Sequence, residues 1–303
     1  MTIRVGVPRG LLYYFYGDLW LGYLRSLGAE AVLSGETSQT TLEYGRRVGE
    51  VCLPVKVAAG HACQLANEVD YLLLPRIVSV AAGQYSCPQI IGLPDLVRSC
   101  FANLPPLIDV TVNMRQDRFS LLRAVVAVGR TLGKNPLVSL ASWQRARTNR
   151  PRADSARRPD DGQPQIGLIG HPYMIHDRQV SRDIAGKLRE LGFGVITADS
   201  VDARAAENVT RRLAKRIFWH YCHRLAGAAL ALMYSPRPLA GMVFLTSFAC
   251  GPDSMIGEIL KRHASQLDLP FLLLVVDEHT AETGLVTRLE AFTDMLERRR
   301  GTC

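Results

Sequence analysis

Short apolar runs alternate with longer amphipathic segments along most of the chain. Continuous apolar runs are typical of strands that are buried on both faces of a parallel sheet. The predicted strands are 3–7, 29–34, 71–75, 165–170, 193–198, 242–248 and 271–277. The predicted helices are 11–28, 38–48, 54–68, 178–191, 203–233, 253–265 and 283–299. Strands that alternate with helices indicate an α/β fold with parallel sheets and right-handed crossovers.

One segment interrupts this alternation and marks a domain boundary. Residues 145–165, RARTNRPRADSARRPDDGQPQ, hold six Arg, three Asp and three Pro and almost no apolar residue. Such a composition cannot build a core and is typical of a linker. The sequence therefore predicts two doubly wound parallel-sheet (Rossmann-like) domains, 1–144 and 165–303, that face a cleft and are joined by a basic flexible linker, 145–164.

The composition excludes some classes of protein. The formal net charge is +8, but the predicted linker carries much of it, so nucleic-acid binding is not favoured. No apolar run approaches 18 residues, and the start MTIRVGVPRG has no signal-peptide core, so we expect a cytoplasmic protein without membrane spans. In a reducing compartment, metal binding or plain burial explains the seven cysteines better than disulfides.

Three cysteines lie at predicted turns, and each is followed by a proline one or two residues later. They are Cys52 in GEVCLPVK, Cys87 in GQYSCPQI and Cys250 in FACGPD. Ligands of doubly wound proteins bind outside the carboxyl ends of the strands, and Cys250 directly follows the predicted strand 242–248. The spacing is too long for a short metal motif, so the residues alone leave both a shared metal site and plain burial open.

The remaining cysteines favour simpler interpretations. They are Cys63, Cys100, Cys222 and Cys303. Cys63 and Cys100 lie in predicted helices as small apolar residues, and Cys303 is predicted to be a free terminal thiol. Cys222 lies between His220 and His223, but on a helix these three side chains cannot converge on one ion. No phosphate-binding loop, dinucleotide fingerprint, HExxH or GxSxG motif is present, which indicates that a cofactor supplies the chemistry.

Eight blocks of unusual content carry a family resemblance. They are GVPRGLLYYFYGDLW, EVCLPVK, LPRIVS, QYSCPQIIGLPD, GHPYMIHD, KRIFWHYCHRLAGAAL, FACGPDS and DEHTAETGLVTRLEAF. This set resembles the acyl-CoA dehydratase activase-related family, also described as the CoA-protein activase or DUF2229-type family. It is similar in turn to subunits of 2-hydroxyacyl-CoA dehydratases and to double-cubane-cluster proteins. The resemblance leaves only about 114–164 uncovered.

The resemblance implies a [4Fe–4S] cluster between two α/β lobes, with Cys52, Cys87 and Cys250 as its ligands. Three thiolates on four irons leave one iron for water, a substrate oxygen or another side chain. In the wider family an ATP-driven activase passes one electron to the dehydratase, which acts on a 2-hydroxyacyl-CoA thioester in anaerobic metabolism. This chain has no phosphate-binding motif, so we expect the ATP-dependent activase on a separate chain.

Several points of this functional prediction stay open. A CoA thioester is a candidate substrate, and the chain would then be a lyase or reductase component that works alone, as a homodimer or as a heterodimer. One alternative is a non-redox module that binds a small ligand or a partner. A further alternative is a structural subunit that holds zinc.

Charged residues near the predicted strand ends are further candidates. Glu278 and His279 follow the strand 271–277, where they serve as catalytic proton donor or fourth iron ligand, or else form a polar turn before the next helix. His171 is predicted to line the cleft rather than to be a structural histidine. Arg76 and Arg9 either hold an anionic group such as a CoA phosphate or pair with a carboxylate.

Asp253 and Ser254 follow Cys250 in the turn. Both residue types accept hydrogen bonds from free helix N–H groups, so we expect them to cap the helix 253–265.

Overall fold

The computed structural model describes residues 2–150, 162–211, 213 and 215–301. The chain divides into two compact units, Met1–Arg152 with Phe218–His220, and Ala153–Ile217 with Tyr221–Cys303. Each unit has a parallel sheet flanked by helices, which confirms the predicted α/β class. Cys303 and residues 151–161 of the predicted linker lie outside the described residues, so the predicted domain boundaries stay a prediction.

The first unit is built around a parallel sheet with the order β2-β1-β3-β5, and β4 pairs with β6 in a short parallel extension. Its strands are β1 (Arg4–Val7), β2 (Glu30–Leu33), β3 (Tyr71–Leu73), β4 (Arg76–Ser79), β5 (Leu107–Ile108) and β6 (Thr111–Asn113). Its helices are α1 (Tyr13–Ser26), α2 (Gln39–Gly45), α3 (Leu53–Gln64), α4 (Pro88–Cys100), α5 (Ser120–Thr131) and α6 (Pro136–Thr148). Helix α6 extends into residues that the composition assigns to the linker.

Proline splits one predicted strand into two. The predicted strand 71–75 ends at Leu73 and resumes as β4, because Pro75 has no N–H to donate to the ladder. Backbone hydrogen bonds continue on both sides of it, from Leu74 N to Ile108 O (3.1 Å) and from Arg76 N to Val110 O (3.0 Å). The pairing of β4 with β6 therefore extends the pairing of β3 with β5.

An aromatic cluster joins helices α1, α5 and α6 over the sheet. Tyr23 is fully buried, its ring lies 5.3 Å from that of Trp143 and 6.1 Å from that of Trp20, and its hydroxyl donates to Val125 O at 2.7 Å. Burial raises the pKa of Tyr23 to about 12. The hydroxyl therefore stays protonated and keeps its role as a donor.

We predict that Tyr23→Phe lowers the free energy of unfolding by about 1 kcal/mol, because the ring packing is kept and one buried hydrogen bond is lost. Chemical denaturation measures this difference. Tyr234→Phe is the control, since that side chain is half exposed and its hydroxyl contacts His263, and it should change stability by less than about 0.5 kcal/mol. Equal effects of the two changes would contradict the prediction.

The second unit has one four-stranded parallel sheet with the order β8-β7-β9-β10. Its strands are β7 (Gln165–Ile169), β8 (Gly194–Thr197), β9 (Gly241–Ser247) and β10 (Phe271–Val276). Its helices are α7 (Pro172–Ile175), α8 (Arg178–Ser181), α9 (Ile184–Glu190), α10 (Ala203–Thr210), α11 (His220–Met233), α12 (Gly251–Gln266) and α13 (Glu282–Gly301). All residues of β9 are buried, as its continuous apolar run predicts.

The strand order creates a switch point in the second sheet. The chain leaves β7 to form β8 on one side and later returns to form β9 on the other side of β7. The loops after β7 and β9 therefore diverge, and such a point is where doubly wound sheets bind their ligands. His171 follows β7, and Cys250 and Asp253 follow β9.

The helix predicted over 203–233 is wrong as a single element. Helix α10 ends at Thr210, and α11 begins at His220. Between these helices, Trp219 forms a parallel β-bridge with Tyr85, and this extended pairing is incompatible with a continuous helix.

Among the described residues, no helix combines the length and the apolar character that crossing a membrane requires.

Candidate functional site

Cys52 and Cys87 occupy the same local position in the first unit. Each is the N-cap of a helix, α3 and α4, with nearly equal backbone angles (φ −65°, ψ 150° and φ −67°, ψ 151°) and a proline at the first or second helical position. Proline suits this position because the first N–H groups of a helix have no intrahelical partner. Both helices begin at the edge where the parallel strands of this sheet end.

The Gln89 side chain connects the two helix starts. Its Oε1 accepts a hydrogen bond from Cys52 N at 3.3 Å, and Gln89 lies two residues after Cys87. Cys52 is buried and Cys87 is partly buried, and among the described cysteines none forms a disulfide. Two thiols that form no disulfide are thus held at neighbouring helix N-termini, where the helix dipole favours negative charge.

The loop before Cys87 contains a buried polar atom of interest. Ser86 is 2% exposed, and its hydroxyl has no hydrogen-bond partner among the described residues. The preceding Gln84 is also buried, but its Oε1 bonds His220 Nδ1 at 2.8 Å. A buried hydroxyl without a partner is costly, so Ser86 is a candidate donor to a bound group.

In the second unit, Cys250 has the corresponding position on α12. It is the N-cap residue, Pro252 lies within the first turn, and its N–H bonds Ser247 O at 3.1 Å. The preceding Ala249 has a φ of 62°, a left-handed conformation that a residue with a side chain adopts at a cost of roughly 1 kcal/mol. The chain therefore turns sharply between the end of β9 and Cys250 at the start of α12.

Asp253 does not cap α12 as predicted but turns into the protein. It is 1% exposed, and its Oδ1 lies 3.0 Å from His171 Nε2 and accepts from Cys222 Sγ at 3.4 Å. Thr246 donates to the other carboxylate oxygen at 3.3 Å. The Ser254 hydroxyl donates to Gly251 O at 2.7 Å instead of accepting from a helix N–H, so the capping prediction is wrong for the side chains of both residues.

His171, Cys222 and Asp253 form a buried mixed-donor group. The Cys222 Sγ lies 3.9 Å from His171 Nε2, and the candidate ligand atoms all lie within 4.8 Å of one another. His171 also stacks on Tyr173 at 4.9 Å between ring centroids. This set of nitrogen, sulfur and oxygen atoms could bind a metal ion.

Opposing effects set the pKa of Asp253. Burial raises the pKa, but the charge and the hydrogen bond of His171, with hydrogen bonds from Cys222 and Cys250, outweigh burial and leave the pKa below its usual value. The carboxylate therefore stays ionised inside the protein. It is a competent ligand for a cation in this state.

The sequence predicted parts of this group but not their meeting. The sequence predicts that His171 lines a cleft, that Asp253 caps a helix, and that Cys222 does not share an ion with His220 and His223. The prediction that His220, Cys222 and His223 do not converge agrees with the structure, because His223 bonds Glu207 at 2.9 Å. One feature of the sequence could have predicted this group: His171 and Asp253 each follow a strand of the same sheet.

Glu278 and His279 form a turn directly after β10. The side chain of Glu278 is 11% exposed, that of His279 is 74% exposed, and the two lie 3.8 Å apart. Asp277 Oδ1 accepts hydrogen bonds from His279 N at 2.9 Å and Thr280 Oγ1 at 2.8 Å, which fixes the turn. Their predicted catalytic role stays a prediction.

Both candidate arginines contact carboxylates. Arg76 makes a bidentate pair with Asp95, with both N–O distances 2.7 Å, and lies 3.7 Å from Asp109. Arg9 lies 3.9 Å from Glu36. The carboxylate-pairing alternative therefore describes Arg76 better than a phosphate site does.

The comparisons with known proteins place the chain in one family. Residues 4–201 match the family described as "CoA enzyme activase uncharacterised domain (DUF2229)". The chain belongs to this family, which confirms the resemblance and supports an activase-related role. The match includes Cys52, Cys87 and His171 and ends before Cys222 and Cys250. No curated protein matches the chain.

A histidine–aspartate pair lies on the same edge of the second sheet. His176 Nε2 lies 2.7 Å from Asp199 Oδ2. This hydrogen bond raises the pKa of His176, against the opposing effect of burial. Burial alone would raise the pKa of Asp199. The hydrogen bond and the charge of His176 outweigh burial, so the pKa of Asp199 lies below its ordinary value.

We predict that Asp199→Asn lowers the pKa of His176, because the ring loses its anionic partner. Because its pKa is raised, protonated His176 stabilises the folded state fully at pH values below its ordinary pKa near 6.5. This stabilisation is lost as the pH rises through the raised pKa. An NMR titration of the His176 ring measures the shift. Glu190→Gln, which removes a different exposed carboxylate, should leave the titration unchanged, and a titration unaffected by Asp199→Asn would contradict the assignment.

Proposed function

We propose that this chain is an iron–sulfur protein in which Cys52, Cys87 and Cys250 hold one [4Fe–4S] cluster. The observation that carries the proposal is the shared backbone position of the three thiols. Each is the N-cap of a helix with proline in its first turn. Helix N-termini offer free N–H groups and a partial positive charge, which suit an anionic iron–sulfur group.

The donor chemistry fits such a cluster. Iron–sulfur clusters are bound by thiolates, and all three sulfurs are free of disulfide bonds. The buried Ser86 hydroxyl next to Cys87 would gain an acceptor if a cluster sulfide were bound there. Hydrogen bonds of this kind tune the reduction potential.

The bound cluster would supply a low-potential electron for reductive dehydration-type chemistry on a CoA thioester. We propose that an ATP-dependent activase on a separate chain provides the electron. Membership of the CoA enzyme activase family supports this role, and the sequence itself contains no phosphate-binding loop. Glu278 and His279 are the proposed proton donor or fourth ligand, since they follow β10 at the carboxyl end of its sheet.

We predict that the chain purified without oxygen, or reconstituted with iron and sulfide, contains about four irons and four sulfides. After reduction with Ti(III) citrate it should give an EPR signal of a reduced cluster. Cys52→Ala, Cys87→Ala and Cys250→Ala should each lose or degrade the cluster. Cys63→Ala and Cys100→Ala are matched controls, because these thiols lie in helices outside the proposed ligand set.

Two results would contradict this proposal. A cluster that survives intact in Cys250→Ala would exclude the three-thiol ligand set. A chain that stays free of iron after reconstitution would exclude the redox role, and a module that binds a small ligand or partner would then be the better explanation.

We also predict that Ser86→Ala makes the midpoint potential more negative, because the reduced cluster loses a hydrogen-bond donor. An EPR-monitored redox titration measures this potential. Ser99→Ala is the control, since Ser99 is exposed on α4. An unchanged potential in Ser86→Ala would show that this hydroxyl does not face the cluster.

A further inference from the structure

We propose that His171, Cys222 and Asp253 form a separate site for a single zinc-type divalent cation. The three residues come from three elements of the second unit: His171 is the N-cap of α7 after β7, Asp253 lies in the first turn of α12 after β9, and Cys222 lies on α11. Because β7 and β9 flank the switch point of this sheet, the group lies where doubly wound proteins bind ligands.

The distances between the donor atoms suit tetrahedral coordination. Metal–nitrogen and metal–oxygen bonds of about 2.0–2.1 Å and a metal–sulfur bond of about 2.3 Å place tetrahedral ligands roughly 3.3–3.6 Å apart. The observed separations are 3.0 Å for oxygen to nitrogen, 3.4 Å for oxygen to sulfur and 3.9 Å for nitrogen to sulfur. Each needs to change by less than about 0.5 Å to accept an ion.

The charges of the group also suit a divalent cation. An Asp253 carboxylate and a Cys222 thiolate together carry two negative charges, so one divalent ion bound by them and by a neutral imidazole would give no net charge. The side chains of His171 and Asp253 are only 3% and 2% exposed, and buried charge is tolerated when it is compensated. The thiol proton, and the imidazole proton if His171 carries one, would pass to solvent as the metal binds.

Neighbouring side chains orient the ligands. Thr246 donates to Asp253 Oδ2, which leaves Oδ1 directed at both His171 Nε2 and Cys222 Sγ. The Tyr173 ring stacks on the imidazole at an interplanar angle of 20° and restricts its rotation. Such supporting contacts are typical of metal sites and raise their affinity.

The donor types select the metal. One imidazole, one thiolate and one carboxylate suit zinc and similar transition ions, whereas magnesium and calcium prefer oxygen donors alone. Three protein ligands leave a fourth position for water or another donor. The proposed site differs from the three-thiol cluster set in residues and donor chemistry, although Cys250 of that set hydrogen-bonds Asp253.

The first test uses Co²⁺ as a spectroscopic probe on the full chain, after chelator treatment under anaerobic conditions. One equivalent should bind and give intense visible bands of tetrahedral Co²⁺ with a near-ultraviolet sulfur-to-cobalt band, and Zn²⁺ should displace it. X-ray absorption of the zinc-loaded chain should show one sulfur at about 2.3 Å and nitrogen or oxygen at about 2.0–2.1 Å. Absence of stoichiometric binding by the folded wild type would overturn the proposal.

Matched variants assign the ligands. Cys222→Ser should abolish the sulfur-to-cobalt band, and Asp253→Asn and His171→Gln should weaken Zn²⁺ binding by at least about tenfold. Cys63→Ser removes a thiol outside the group and should leave the cobalt spectrum unchanged. Circular dichroism and thermal unfolding identify the variants that fold. If a variant does not fold, the X-ray absorption data of the zinc-loaded wild type still test the proposed ligand set.

A final arm separates this site from the proposed cluster. In the Cys52→Ala chain, which should not hold an intact cluster, the Co²⁺ spectrum should persist. A spectrum lost in Cys52→Ala but retained in Cys222→Ser would assign the metal to the other thiols and overturn the proposal. If the chain binds no iron–sulfur cluster but gives the expected Co²⁺ spectrum, the cluster proposal fails and the proposal of this divalent-cation site is supported.

Discussion

The parallel direction of the strands is the constraint on which the candidate sites depend. Within each unit the strands end at one edge of the sheet, and crossover helices must begin at that same edge. Strand ends and helix N-termini therefore meet there in both units. Cys52 and Cys87 are placed in this way in the first unit, and His171 and Cys250 in the second. The fold therefore places the candidate ligand side chains at these edges.

Proline gives these helix starts a common local structure. It lies at the first or second helical position after Cys52, Cys87, His171 and Cys250. A proline there fixes φ without removing a needed hydrogen bond, so the preceding residue stays extended at the N-cap. The same ring inside the predicted strand 71–75 has the opposite effect, because Pro75 interrupts a ladder that needs its N–H. Position alone decides between the two outcomes.

The two proposed metal sites differ in how they treat charge. Thiols at helix N-termini provide soft sulfur ligands beside a partial positive charge, which favours an anionic cluster. Asp253 instead lies fully inside the second unit, where burial opposes its ionised form and His171, Cys222 and Cys250 restore it. A compact mixed-donor group of this kind favours one divalent ion. With both proposed sites, the chain would combine donors for two different inorganic groups.

The sequence alone determined the α/β class, most strand positions and the thiols at helix starts, because continuous apolar runs and prolines act within a few residues. It did not determine the break at Thr210, where the predicted long helix ends and the later bridge of Trp219 with Tyr85 excludes its continuation. Only the tertiary structure brought His171 to Cys222 and Asp253, across 51 and 82 positions of the chain. Their meeting depends on strand order, since β9 lies beside β7 although β8 comes between them in sequence.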